Sequence, residues 1–201
     1  MNIIKALTLF FSLFILSFLI TLMVGLQLSP LEEYRPPVME YTHNDFISKI
    51  KKDRKIDKNI KIIITPAESI ASMLIKYCPT QNNDECVDPT EYKMTINPFY
   101  YSLLNSLEKK ALISHEIGHI GQSLSMDNLQ AQIEADNIAA YYVGPNSMIG
   151  VIHKGFMLQL KRGAIFLPEF VLPATYQYYK RIINLKNYKP GKIPPVAGFK
   201  F

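Results

Sequence analysis

The chain has 201 residues, 48% of them hydrophobic and 19% charged, with a formal net charge of +5. That length suits one domain plus an anchor rather than two domains. The apolar share excludes a disordered or fibrous chain.

From Ala6 to Leu28 the sequence runs for 23 residues without a charge. A helix rises about 1.5 Å per residue, so this run can cross a hydrocarbon core of about 30 Å. It reads as an uncleaved signal anchor over residues 1–28. A cleavable signal has an apolar region of about 7–15 residues and a small-x-small cleavage site, and Val24-Gly25-Leu26-Gln27 makes a poor one. Lys5 precedes the run and Glu32, Glu33 and Arg35 follow it. The positive-inside tendency then leaves the N-terminus in the cytoplasm and the domain outside, as a single-pass membrane protein. Cys78 and Cys86 fit that placement, since in an oxidising compartment they can close a small loop, the alternative being two free thiols. Their spacing does not suit a Cys-x-x-Cys zinc or redox motif.

Residues 29–43 contain Pro30, Pro36 and Pro37 and read as a stiff linker. The domain is expected over residues 44–187. Asn44 to Ile50 starts a short helix. Lys61 to Thr65 is rich in β-branched residues and stops at Pro66, as a strand does. Ala67 to Tyr77 has apolar spacing compatible with a helix. Tyr92 to Asn97 alternates ahead of Pro98 and reads as a second strand, placed at a sheet edge where a peptide can pair with it. Ser106 is the expected N-cap of a strong helix through Ile117, whose far end Gly118 and Gly121 weaken. Asp127, with Gln130 three residues on, opens a helix that stops at Gly144-Pro145. Ser147 to Leu160 and Leu172 to Leu185 read as two more helices. Residues 188–201 form a basic, Pro-containing tail. No acid follows Glu169, while Lys180, Arg181, Lys186, Lys189, Lys192 and Lys200 do. No nucleic-acid motif accompanies these bases, so they read as a solvated face and no nucleic-acid partner is expected.

The chemistry lies in His115-Glu116-Ile117-Gly118-His119, a His-Glu-x-x-His pattern. Residues four apart stand one turn above each other on one helix face, so two imidazoles can reach a single ion. Glu116 is then placed to take a proton from water acidified by zinc. The metzincin variant is excluded, because it needs a glycine and a further ligand where Gln122 and Ser125 stand.

With Leu112-Ile113-Ser114 leading into this motif, and Gln132-Ile133-Glu134-Ala135-Asp136 following on the next helix, the chain resembles the gluzincin metallopeptidases. More closely, it resembles the membrane-associated prenyl-protein and HtpX-like group, which carries a Glu-x-x-Ala-Asp second motif. The likeness covers about Met94 to Gly144. It implies a zinc ion held by two histidines and a glutamate, Glu116 as general base, and an aspartate orienting the first histidine. The match departs at one position: one turn before Asp136 stands Gln132 rather than a glutamate. Glu134, the nearest acid, lies about 200° around the helix from Asp136. Either Glu134 is the ligand and Asp136 points elsewhere, or Gln132 takes the position and the site is weakened. Glu134 is taken as the ligand, because zinc is held by anionic or imidazole donors; Asp136 is the residue to which the resemblance gives the orienting role.

The expected fold is α+β, a small sheet on a zinc-bearing helical domain behind one N-terminal transmembrane helix. The expected function is a membrane-anchored zinc endopeptidase acting on protein or peptide substrates. The alternative is an inactive zincin-fold membrane subunit. His153, Tyr141, Tyr142 and Arg162 are the candidates for an oxyanion donor; none is assigned that role, and His43 reads as a surface histidine.

Overall fold

The computed structural model describes residues 39–41, 44–65, 72–77, 90–122, 127–161 and 168–191. The expected anchor, most of the linker including His43, the Cys78–Cys86 loop, Arg162 and the end of the tail lie outside these residues. Among the described residues no helix is long and apolar enough to cross a membrane.

The fold is α+β and mostly helical. Four strands, β1 (Met39–Tyr41), β2 (Asn59–Ile64), β3 (Ser72–Tyr77) and β4 (Glu91–Ile96), form one sheet in the order β1-β2-β4-β3. β4 inserts between β2, to which it is parallel, and β3, to which it is antiparallel; β1 pairs antiparallel with β2. Helix α1 (Asn44–Arg54) precedes β2. Among the described residues, five helices follow the sheet: α2 (Pro98–Leu103), α3 (Ser106–Gly118), α4 (Asn128–Val143), α5 (Pro145–Lys161) and α6 (Pro168–Lys186).

Two expectations are corrected here. Of the helix expected from Ala67 to Tyr77, the described residues Ser72–Tyr77 are instead β3, paired residue by residue with β4 from Ser72 opposite Ile96 to Tyr77 opposite Glu91. A six-residue stretch with three central apolar residues fits either period, and pairing decided it. In consequence Tyr92–Asn97 is not an edge strand: β4 is bonded on both sides and offers no free edge to a peptide. The short β1 falls within the expected linker, and α2 was not anticipated. Asn97 starts α2 by accepting hydrogen bonds from the amides of Phe99 and Tyr100, with Pro98 at the first helical position.

The core lies where one face of the sheet meets the helices. Ile62 and Ile64 of β2 and Tyr92, Met94 and Ile96 of β4 alternate inward, the period of a half-buried strand. They share one cluster with Ile50 of α1, with Leu112, Ile113 and Ile117 of α3, and with Met148 and Leu158 of α5.

Candidate metal centre

Helix α3 is built to start and stop in fixed places. Its N-cap is Asn105, one residue before the expected Ser106. The Asn105 side chain accepts from the amides of Leu107 and Glu108, while the Glu108 carboxylate accepts from the Asn105 amide at 2.7 Å. That reciprocal arrangement satisfies three otherwise orphaned amide donors, those of Asn105, Leu107 and Glu108. At the other end the buried Arg54 of α1 donates to the carbonyls of Ile117 (2.7 Å) and Ile120 (3.1 Å). His119 is the C-cap and keeps right-handed helical geometry, so it still stands one turn beyond His115.

Gly118 sets how closely α4 approaches. A Cβ at that position would lie 2.8 Å from the Ala135 Cα, so only a glycine allows this spacing. The contact turns Gln132, Ala135, Asp136 and Ala139 of α4, one i, i+3, i+4, i+7 stripe, toward α3. Ala135, Asp136 and Ala139 are fully buried.

The two imidazoles meet edge to face, with His115 Nε2 and His119 Nε2 3.2 Å apart. Their protons can be assigned from their other nitrogens. His115 Nδ1 lies 2.8 Å from Asp136 Oδ1, out of line for a well-formed hydrogen bond but beside a group that can only accept, so the hydrogen is assigned to Nδ1. His119 Nδ1 lies 2.7 Å from Gln122 Oε1. The Gln122 amide cannot be reversed, because its Nε2 donates to the Ala131 carbonyl at 2.8 Å. His119 therefore carries its hydrogen on Nδ1 too. With each Nδ1 so engaged, the two rings turn their Nε2 atoms toward each other across 3.2 Å. Two nitrogens on one tetrahedral zinc stand about 3.3 Å apart, given zinc–nitrogen bonds of about 2.0–2.1 Å. Burial, and then the neighbouring His115, lower the His119 pKa, which keeps its lone pair available.

The third position is occupied by Gln132, whose Nε2 lies 3.5 Å from His119 Nε2. Half a turn of this amide presents its oxygen in place of its nitrogen. Glu134, the expected ligand, is not brought to the histidines. It stands on the far side of α4, where its carboxylate accepts from Gln130 Nε2 at 3.2 Å. Among the described residues no group of three or more His, Cys, Asp or Glu side chains is arranged around one point. The residues present fit an ion through two imidazoles and a neutral amide.

Asp136 does face His115, and it has a partner that sequence reasoning missed. Arg181 of α6 grips the carboxylate with both arms of its guanidinium, Nε to Oδ2 and Nη2 to Oδ1, each at 2.7 Å. Burial alone would raise the Asp136 pKa. The Arg181 fork and His115 overcome it and hold the carboxyl below the usual range. In the sequence Arg181 is one base among several near the terminus; a lone arginine late in an amphipathic helix was the only signal. Gln122 was legible only as the residue that rules out a metzincin.

Glu116 is 7% exposed and opens, with both histidines, Gln132 and Arg181, onto a cavity of about 480 Å³. Its apolar wall is formed by Leu112, Met148, Val151, Ile152 and Phe156, and its far side by Ala174, Gln177 and Tyr178 of α6. Three of the residues considered as oxyanion donors do not line it. His153 is exposed and pairs through Nδ1 with the Tyr178 hydroxyl at 3.0 Å, Tyr142 donates to Asp53, and Tyr141 is exposed. No protein-family model, curated protein or solved structure matches the chain.

Proposed function

We propose that the chain is a zinc-dependent endopeptidase, tethered to a membrane by residues 1–28 with its domain outside the cytoplasm. The observation that best supports this is the pair of facing Nε2 atoms, 3.2 Å apart, beside the buried Glu116. His115 and His119 are the residues that would hold the ion, with Gln132 offering its amide oxygen where the resemblance implies a glutamate. When bound, zinc supplies a Lewis acid that polarises a peptide carbonyl and acidifies water. Glu116 takes the proton from the attacking water and returns it to the leaving amine. Asp136 and Gln122 engage the two imidazoles at Nδ1 and so leave Nε2 of each ring to face the ion. The apolar wall excludes bulk water and suits a hydrophobic side chain of the substrate.

The test is zinc content together with cleavage of an unfolded protein such as casein. The wild type is expected to carry about one zinc per chain and to cut. Glu116→Gln is expected to keep the zinc and lose about two orders of magnitude in rate or more. Glu134→Ala is expected to change neither, and Gln132→Ala to lose zinc. Neither zinc nor cleavage in the wild type would sink the proposal. A second reading, a membrane subunit that keeps the fold without catalysis, is favoured by Gln132, since a neutral amide is a weaker zinc donor than a carboxylate. Under that reading wild type and Glu116→Gln behave alike in the cell.

A further inference from the structure

The outer face of α6 carries a stripe that the site does not use. Tyr176, Tyr179 and Ile183 are 56%, 59% and 54% exposed. At i, i+3 and i+7 they share one side of the helix. Lys180 belongs to the same side, its Nζ 5.4 Å from the centre of the Tyr176 ring, and Lys186 flanks it one turn on. Every charged residue from position 170 to the end of the chain is basic. Tyrosines with an apolar body and a polar tip, beside lysines whose stems lie along them, are the side chains that settle at a lipid headgroup layer. A protein partner for such a face would need acids opposite the lysines, and an anionic bilayer supplies them. The uncharged run from Ala6 to Leu28 is long enough to keep the chain at a bilayer.

We infer that the outer face of α6, through Tyr176, Tyr179, Lys180 and Ile183, lies on a bilayer surface that carries anionic lipid. The opposite side of the same helix supplies Ala174, Gln177, Tyr178 and Arg181 to the cavity. A helix with its side chains is about 10–12 Å across. The docked face therefore holds the cavity about one helix diameter from the lipid, where it meets chains that emerge from or lie along the membrane. The docking itself does not depend on the metal or on catalysis.

The chain has no tryptophan, so a single introduced one reports alone. The full chain is reconstituted in phosphatidylcholine bilayers, with and without phosphatidylglycerol, containing lipids brominated on their acyl chains. Tyr179→Trp and, separately, Ile183→Trp are compared with Leu107→Trp, an exposed site at the start of α3. Emission from both α6 variants is expected to shift to the blue and to be strongly quenched when anionic lipid is present, while Leu107→Trp stays unquenched. Adding Lys180→Glu and Lys186→Glu to Tyr179→Trp is expected to remove the dependence on anionic lipid, each lysine being worth about fivefold in partitioning. Equal quenching at positions 107 and 179 would overturn the inference. So would a blue shift at position 179 that bromine does not quench, because the face would then be covered by protein, whether a second copy or another segment of this chain. Quenching unchanged by the charge reversals would overturn the anionic-lipid assignment.

Discussion

Replacing Arg181 by alanine leaves Asp136, whose side chain has no exposed surface, without its cation. The guanidinium donates two hydrogen bonds of 2.7 Å to that carboxylate and is itself only 18% exposed. Removing one partner of a buried ion pair costs about 3–5 kcal/mol, a large part of the roughly 5–15 kcal/mol that holds a domain together. With an m-value of about 2 kcal/mol/M in urea, the unfolding midpoint of the metal-free chain should fall by about 2 M at pH 7. The pH dependence carries a second signature. A carboxyl whose folded pKa is depressed contributes stability that is complete above its unfolded value of about 3.9 and is lost as pH falls through the folded value. Without Arg181, burial becomes the dominant influence and raises the Asp136 pKa, so the folded state then binds the proton more tightly than the unfolded one, and the deficit of Arg181→Ala should shrink as pH falls. Adding Asp136→Asn to Arg181→Ala removes the stranded charge and should recover part of the stability. Circular dichroism of the full chain in mild detergent across urea and pH provides the readout. A loss below about 1 kcal/mol for Arg181→Ala, or a double variant no more stable than the single one, refutes the pairing.

Gly118→Ala places a Cβ 2.8 Å from the Ala135 backbone; it should cost about 1–3 kcal/mol in the same unfolding measurement and reduce zinc content, and an unchanged midpoint contradicts the close helix approach. Gln132→Glu puts an anionic donor beside the two facing Nε2 atoms and should tighten zinc at least about tenfold, or about 1.4 kcal/mol, by competition with a chelating dye; Glu134→Gln should leave that affinity unchanged. His119 should titrate below the ordinary histidine value of about 6.5 when its ring proton is followed by NMR in the metal-free chain, because burial and His115 disfavour its charged form. Since the unfolded state then binds more protons, stability should decline as pH falls below about 6.5, and a midpoint at or above that value contradicts the assignment.

Which side of α4 faces the histidines was not readable from acids alone. The angular argument set Glu134 and Asp136 on opposite sides of the helix, and that separation holds in the structure. What it lacked was the direction of α3. The clue lay in the small residues: Gly118 on one helix and Ala135 and Ala139 on the other mark the line along which two backbones can approach. Gln132 lies on that line and Glu134 does not. Helices α3 and α4 were legible because each carries caps or breakers at its ends, such as Asp127 and Gly144, whose φ of 96° ends α4. The sheet was legible only in part. β2 and β4 announce themselves by β-branched content or alternation, but β3 is too short to separate from a helix by period, and with it misread the central place of β4 could not be seen. Arg181 and Arg54 were hidden for a different reason. Each acts across at least 45 residues of sequence, and nothing local to a basic residue reveals a partner so distant.

The reach of Arg54 also defines how the molecule can be taken apart. Its two hydrogen bonds tie the end of α1 to the carbonyls that close the histidine helix, 63 and 66 residues downstream. A fragment that begins after Arg54 would retain every residue of the His-Glu-x-x-His motif, yet leave the last turn beneath His119 frayed. The smallest piece able to keep its two imidazoles in register therefore starts no later than α1 and ends no earlier than Arg181, so the minimal working unit is nearly the whole described domain rather than the motif helices.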